Sequence, residues 1–154
     1  MRDNFSIVNE SGELLPRLPL ARIKNDILGK KYCLSLAFVD KKKSREINKR
    51  YRKKDKPTNI LSFSFSKTEG EILMCPNIVR QEVKNKAESS NRTFRGYMGF
   101  LVIHGMLHLE GMKHSSKMDR AEEKYDKKYF YRNRRGVGNN PSRGGRVFKG
   151  RKKS

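Results

Sequence analysis

From Tyr97 to Glu110 the chain is apolar apart from His104, His108 and the closing Glu110. A segment of this length and pattern reads as a helix, and a helix hydrophobic all round has to be enclosed by the rest of the fold. This helix is therefore expected to be buried on most sides. His104 and His108 stand four residues apart, so both imidazoles project from one helical face. Gly111 offers a helix stop, after which the chain can fold back and present His114 to the same point. These three are the only histidines in the sequence. Three neutral nitrogens converging from a helical turn and the following loop make a metal site with a fourth position open. That open position distinguishes a catalytic zinc site from a structural one.

Zinc, one ion per chain, is the first expectation for three imidazoles, with nickel, copper and iron compatible with the same ligand type. Such an ion lowers the pKa of a bound water toward ~7 and so supplies a nucleophile at neutral pH. A zincin-type protease needs Glu directly after its first histidine as general base. Here that residue is Gly105, which disfavours peptide hydrolysis by that route. Two plainer readings stand beside the catalytic one. Each histidine taken singly is an ordinary helix or loop residue. A closed structural site would need a fourth ligand, for which Glu110, Asp119 and Glu122 are within sequence reach.

With 154 residues the chain has room for one core. Hydrophobic and charged residues each make up 34%, which suggests a small core carrying polar extensions. The net charge of +21 points to a polyanionic partner. Nucleic acid comes ahead of membrane, because no basic amphipathic helix with a strong apolar face stands out. Residues 132–154 contain nine basic residues, no acidic ones and five glycines, a composition unable to bury enough apolar surface to order itself. They are expected to form a disordered tail on a domain of residues 1–131, which retains +12 without it. The start of the chain has no apolar leader, and no apolar run approaches the ~20 residues that span a bilayer. Cys33 and Cys75, each in a strand-like run, are expected to be small buried hydrophobes. Together these features place the protein in the cytoplasm.

The remaining pattern reads as an α+β domain, a small mixed β-sheet with helices packed on it and the metal site on a C-terminal helix and following loop. Strands are expected at Phe5–Val8, Cys33–Val39, Ile60–Phe65 and Glu71–Cys75, the last two forming a hairpin. Helices are expected at Leu18–Leu28, at Lys41–Arg52 behind an Asp40 cap with Ile47 and Tyr51 facing inward, from Pro76 onward, and at Ser115–Tyr131.

The run His104-Gly-Met-Leu-His108-Leu-Glu-Gly-Met-Lys-His114 resembles the signature H-G-x-L-H-L-x-G-x-D-H of the YbeY family of bacterial endoribonucleases. A second block, from Asn48 through Tyr51-Arg52 and Pro57-Thr58-Asn59 to Phe63, is similar to that family's N-x-x-Y-R-x-K-D-x-P-T-[DN]-[VI]-L-S-F. Glu69-Gly-Glu71-Ile72 looks like a variant of its L-G-D-I. The resemblance implies that His104, His108 and His114 hold the metal and that Arg52 is needed for catalysis. It further implies a single-strand-specific endoribonuclease acting in ribosomal RNA maturation and ribosome quality control, with RNA and the ribosome as partners. Lys113 stands where the family usually has Asp, and Glu71 where Asp is usual. A lysine cannot accept the hydrogen bond by which a carboxylate would orient the last imidazole.

Lys41 to Lys56 carries ten basic residues against two acidic ones. Arg45, Lys49, Lys53 and Lys54 are the candidate phosphate contacts there. In the tail, Arg143 and Arg146 flank a Gly-Gly pair, similar to segments that bind single strands. No protein partner is indicated. A noncatalytic RNA-binding assembly factor with a structural metal is the alternative, favoured by Lys113 and the basic tail. No residue is assigned as general base, and either water or a 2′-hydroxyl is compatible as the attacking group.

Overall fold

The computed structural model describes residues 4–131. The expected elements are present in the expected order. Strands β1 (Phe5–Asn9), β2 (Cys33–Phe38), β3 (Ile60–Ser66) and β4 (Glu69–Met74) form one sheet in the order β1-β2-β4-β3. β1 and β2 are parallel, as are β2 and β4, while β3 returns antiparallel to β4. The sheet is therefore mixed. The two parallel steps are made by helices α1 (Leu20–Ile27) and α2 (Lys41–Arg52), the second crossover also containing β3.

Alternation decides which face is buried. Leu34, Leu36 and Phe38 of β2, Ile60 of β3, and Ile72 and Met74 of β4 are at most 3% exposed and form one side of the core. Against that side lies α5 (Phe94–Leu109), the enclosed helix, which follows α3 (Pro76–Lys84) and the short α4 (Lys86–Ser89). α1, α3 and α6 (Ser116–Asp126) cover the rest of it, so Met98, Val102, Ile103 and Met106 reach zero exposure. Burying a side chain of this size contributes about 1.5–3 kcal/mol, which is how so small a core holds the domain together. Thr93 caps the start of α5 by accepting from Gly96 N–H.

Two close approaches let α5 sit so deep. A Cβ on Gly105 would lie 3.0 Å from Ile60 Cδ1 and Ser62 Oγ, so this position is the contact with β3. A Cβ on Gly99 would strike the Phe130 ring at 2.1 Å, so Gly99 forms a notch for that ring. Phe130 belongs to a wider, π-type turn, Lys127–Tyr131, that extends α6. A single α-helix was expected through Tyr131. The wider turn seats Phe130 in the notch while Lys128 and Tyr129 bond to Asp26 of α1, three contacts that compensate for the change of helical pitch.

α2 differs from expectation in which side faces inward. Asp40 caps it, accepting from Lys43 N–H as expected. Ile47 is half-buried, but Tyr51 is 59% exposed. The buried positions are Ser44 and Asn48. Ser44 Oγ accepts from Thr58 N–H and donates to Thr58 O, both at 2.9 Å, and Asn48 Nδ2 donates to Lys56 O at 2.8 Å. The helix thus satisfies the backbone of the loop leading into β3, and Tyr51 is rotated outward. Cys75 is buried as expected, whereas Cys33 is exposed because odd-numbered positions of β2 face away from the core.

Candidate metal centre

α5 ends where the sequence suggested. Gly111 takes φ +111°, its N–H bonds to His108 O, and Met112 N–H returns to Leu107 O. This left-handed step turns the chain back so that the loop carrying His114 crosses the end of the helix. One ring nitrogen from each of His104, His108 and His114 then lies within 4.8 Å of the others. Ring centroids are 4.5 Å apart for His104 and His108, 4.7 Å for His108 and His114, and 5.4 Å for His104 and His114. The trio could hold a metal ion. Among the described residues no carboxylate or thiol joins the cluster as a fourth donor.

The acceptors behind two of the rings decide which nitrogens are available. Nδ1 of His104 donates to Glu122 Oε2 at 2.6 Å, a contact that is almost fully buried. Nδ1 of His108 donates to the Met112 carbonyl at 3.0 Å. Each bond fixes the proton on Nδ1 and leaves Nε2 as the lone-pair donor. For His108 that Nε2 is buried with no hydrogen-bond partner, an orphaned acceptor of the kind a cation satisfies. Burial, reinforced by the neighbouring His104, pushes the pKa of His108 down to about 4, so it stands neutral and ready to ligate at physiological pH. Three converging ring nitrogens, one of them orphaned, and oxygen acceptors behind two of the rings together fit a divalent transition metal.

Glu122, considered from sequence as a closing ligand, instead holds His104 from behind. Spacing alone did not reveal this role. The available signal was its place four residues after the apolar Met118, on the inward side of the helix, where a carboxylate needs a hydrogen-bonding or charged partner. Lys113 is exposed and makes no substitute for the usual carboxylate, while Glu71 lies half-buried on β4 paired opposite Phe63. Gly105 faces the sheet, not the histidine cluster, so a zincin-type glutamate has no room at that position.

Arg52 closes α2 and is half-buried, followed by Lys53 in the left-handed conformation at φ 60°. Lys49, Lys53 and Lys54 are exposed. Arg45 is exposed but engaged, its Nε 2.7 Å from Asp55 Oδ1. Arg143 and Arg146, with the rest of residues 132–154, lie outside the described residues.

Comparisons with known proteins give the family and the fold. The family described as Endoribonuclease YbeY matches residues 13–132. A relative of that name from Staphylococcus saprophyticus is 36% identical, the match covering 58% of this chain and 63% of the relative. One from Staphylococcus aureus is 35% identical, covering 58% of this chain and 64% of the relative. The chain thus matches somewhat under two thirds of the length of these curated relatives. The solution structure of a Thermotoga maritima protein superposes with a TM-score of 0.56 at 27% identity, covering 80% of this chain and 87% of that one. The match takes in the histidine cluster, the Tyr51-Arg52 block and strands β2, β3 and β4: the chain belongs to the YbeY endoribonuclease family.

Proposed function

We propose that this protein is a metal-dependent endoribonuclease that cuts single-stranded regions of ribosomal RNA during maturation and quality control of the ribosome. The observation that carries the proposal is the histidine trio, two of whose rings are oriented from behind, since converging, oriented imidazoles around a free side are what a catalytic ion requires. A bound zinc ion, or nickel, copper or iron in its place, would supply Lewis acidity at the scissile phosphate and an acidified water. His104, His108 and His114 would hold it through ring nitrogens, Nε2 in the first two.

The chain's own residues supply the remainder. Glu122 keeps His104 in one tautomer and one orientation. Arg52, always cationic, offsets charge that accumulates on the phosphoryl oxygens in the transition state. Lys49, Lys53 and Lys54 hold backbone phosphates near α2, and Arg45 joins them where it is released from Asp55. Arg143 and Arg146 of the 132–154 segment add affinity without adding sequence preference. Both described cysteines are free thiols, in keeping with a cytoplasmic site of action beside the ribosome.

The test uses purified full-length protein of measured metal content, incubated with single- and double-stranded ribosomal RNA fragments with and without chelator. Cleavage of the single strand that stops with chelator and returns with zinc supports the proposal. Cleavage persisting in metal-free protein refutes it. Loss of the folded CD spectrum on chelation would indicate a structural ion and an assembly role in place of catalysis.

A further inference from the structure

The outward rotation of Tyr51 leaves an exposed aromatic surface beside the most basic stretch of the described chain. Tyr51, 59% exposed on the last turn of α2, meets the half-buried Phe63 of β3 edge to face, with ring centroids 5.3 Å apart and planes at 65°. Two residues further on, at the irregularity between Ser64 and Ser66, Phe65 is 61% exposed. β3 is an edge strand, so this surface is open at the rim of the sheet. The arrangement is costly without a purpose, because burial of either ring would stabilise the fold.

The surroundings identify the occupant. The Arg50 guanidinium lies 5.9 Å from the Tyr51 ring centroid, and Lys49, Lys53, Lys54 and Lys56 are exposed on the same stretch. Of the two acidic residues there, Asp55 is neutralised by Arg45. An apolar protein partner would have to desolvate this density of cations. A polyanion carrying flat, stackable rings matches both halves of the surface at once: bases on the aromatics and phosphates on the cations. β3 carries both features on opposite sides: Phe63 faces the open surface, while its neighbour Ser62 approaches the backbone of Gly105, which directly follows His104.

We infer that Tyr51, Phe63 and Phe65 form a base-stacking platform for unpaired nucleotides of RNA, with Arg50, Lys53 and Lys54 gripping the flanking phosphates. A duplex keeps its bases stacked on one another and has none to offer, so the platform selects single strands. The inference deepens the nuclease reading by assigning the residues that set strand preference.

Fluorescence anisotropy with full-length protein tests it, using a labelled unstructured RNA 12-mer and the same strand in a blunt duplex, with probe integrity checked on a gel. Tyr51→Ala and Phe65→Ala should each weaken single-strand binding about tenfold. Duplex binding and the slope of log affinity against log salt should stay as in the parent, and Tyr51→Phe should bind like the parent. Unchanged single-strand affinity in both alanine variants overturns the platform. So does an equal loss on duplex, or rescue by Tyr51→Leu, which would show greasy contact without stacking. Because binding is read apart from cleavage, absence of nuclease activity would refute the catalytic reading and leave this one standing. Parent protein that binds neither RNA but captures an acidic peptide of equal charge would transfer the surface to a protein partner and overturn it.

Discussion

Glu122 and His104 sit on different helices, α6 and α5, and meet through a 2.6 Å hydrogen bond shielded from solvent. The bond ties the orientation of a candidate metal-binding imidazole to the docking of a helix that offers no ligand of its own. Removing the carboxylate as Glu122→Ala should cost roughly 10–100-fold in zinc affinity, as for other partners of ligating histidines. Competition with a chromophoric chelator measures this. Glu122→Gln, which can still accept from Nδ1–H, should recover part of the loss.

His108 offers a sharper test of the site itself. His108→Ala should abolish bound zinc and cleavage while RNA affinity stays within a few-fold of the parent, because phosphate contacts are expected from α2. Metal analysis and anisotropy on one preparation report both quantities. A variant that still cuts RNA would remove His108 from the site.

Gly111 is the hinge on which His114 depends. At φ +111° any residue with a Cβ is strained, so Gly111→Ala should destabilise the protein by ~1–2 kcal/mol. Zinc affinity should fall alongside, since the loop carrying His114 follows directly. Urea denaturation and zinc titration check the two effects separately.

Burial raises Asp126 to about 6, against the pull of Arg92, whose Nη2 lies 2.9 Å from its carboxylate. The folded state then binds a proton there more readily than the unfolded chain does. The contribution to stability is fully present below about pH 4 and is lost as pH rises through about 6. His108 has the opposite sign: its lowered pKa removes stability as pH falls from 6.5 toward about 4. In metal-free protein the two partly cancel. Asp126→Asn should therefore leave a stability that climbs with pH between 4 and 6 more steeply than the parent's, by no more than ~1.4 kcal/mol per pH unit. Chemical denaturation at several pH values measures the slope.

Lys49, Lys53 and Lys54 replaced together by alanine should lower the salt slope of single-strand RNA binding by up to ~2, each phosphate contact on a single strand counting ~0.7. Deleting 132–154 should likewise weaken binding and flatten the slope while sparing cleavage of saturating substrate. If cleavage at saturation vanishes, the segment belongs to the active site.

Local signals carried much of this structure into the sequence. The long apolar run announced α5, the i, i+4 histidines announced one face of it, and Gly111 and Asp40 marked a stop and a cap that both occur. These features were legible because each is decided within a few residues. What escaped depends on partners distant in the chain. Tyr51 has the spacing of a core residue, yet Ser44 and Asn48 take the inward side because the loop at Lys56–Thr58 needs hydrogen bonds. Glu122 could be read only as a possible closing ligand until its 18-residue separation from His104 was closed by folding. The wide turn after Asp126 follows from a notch at Gly99, thirty-one residues before the ring that fills it.

The seating of α6 has one more consequence. Its far end is fastened at three places, by Arg92 to Asp126, by Asp26 to Lys128 and by Gly99 to Phe130, pairs that include none of the three histidines. Loosening any of these moorings would let Glu122 drift from His104, so grip on the ion can be tuned from across the molecule with the coordinating side chains left intact.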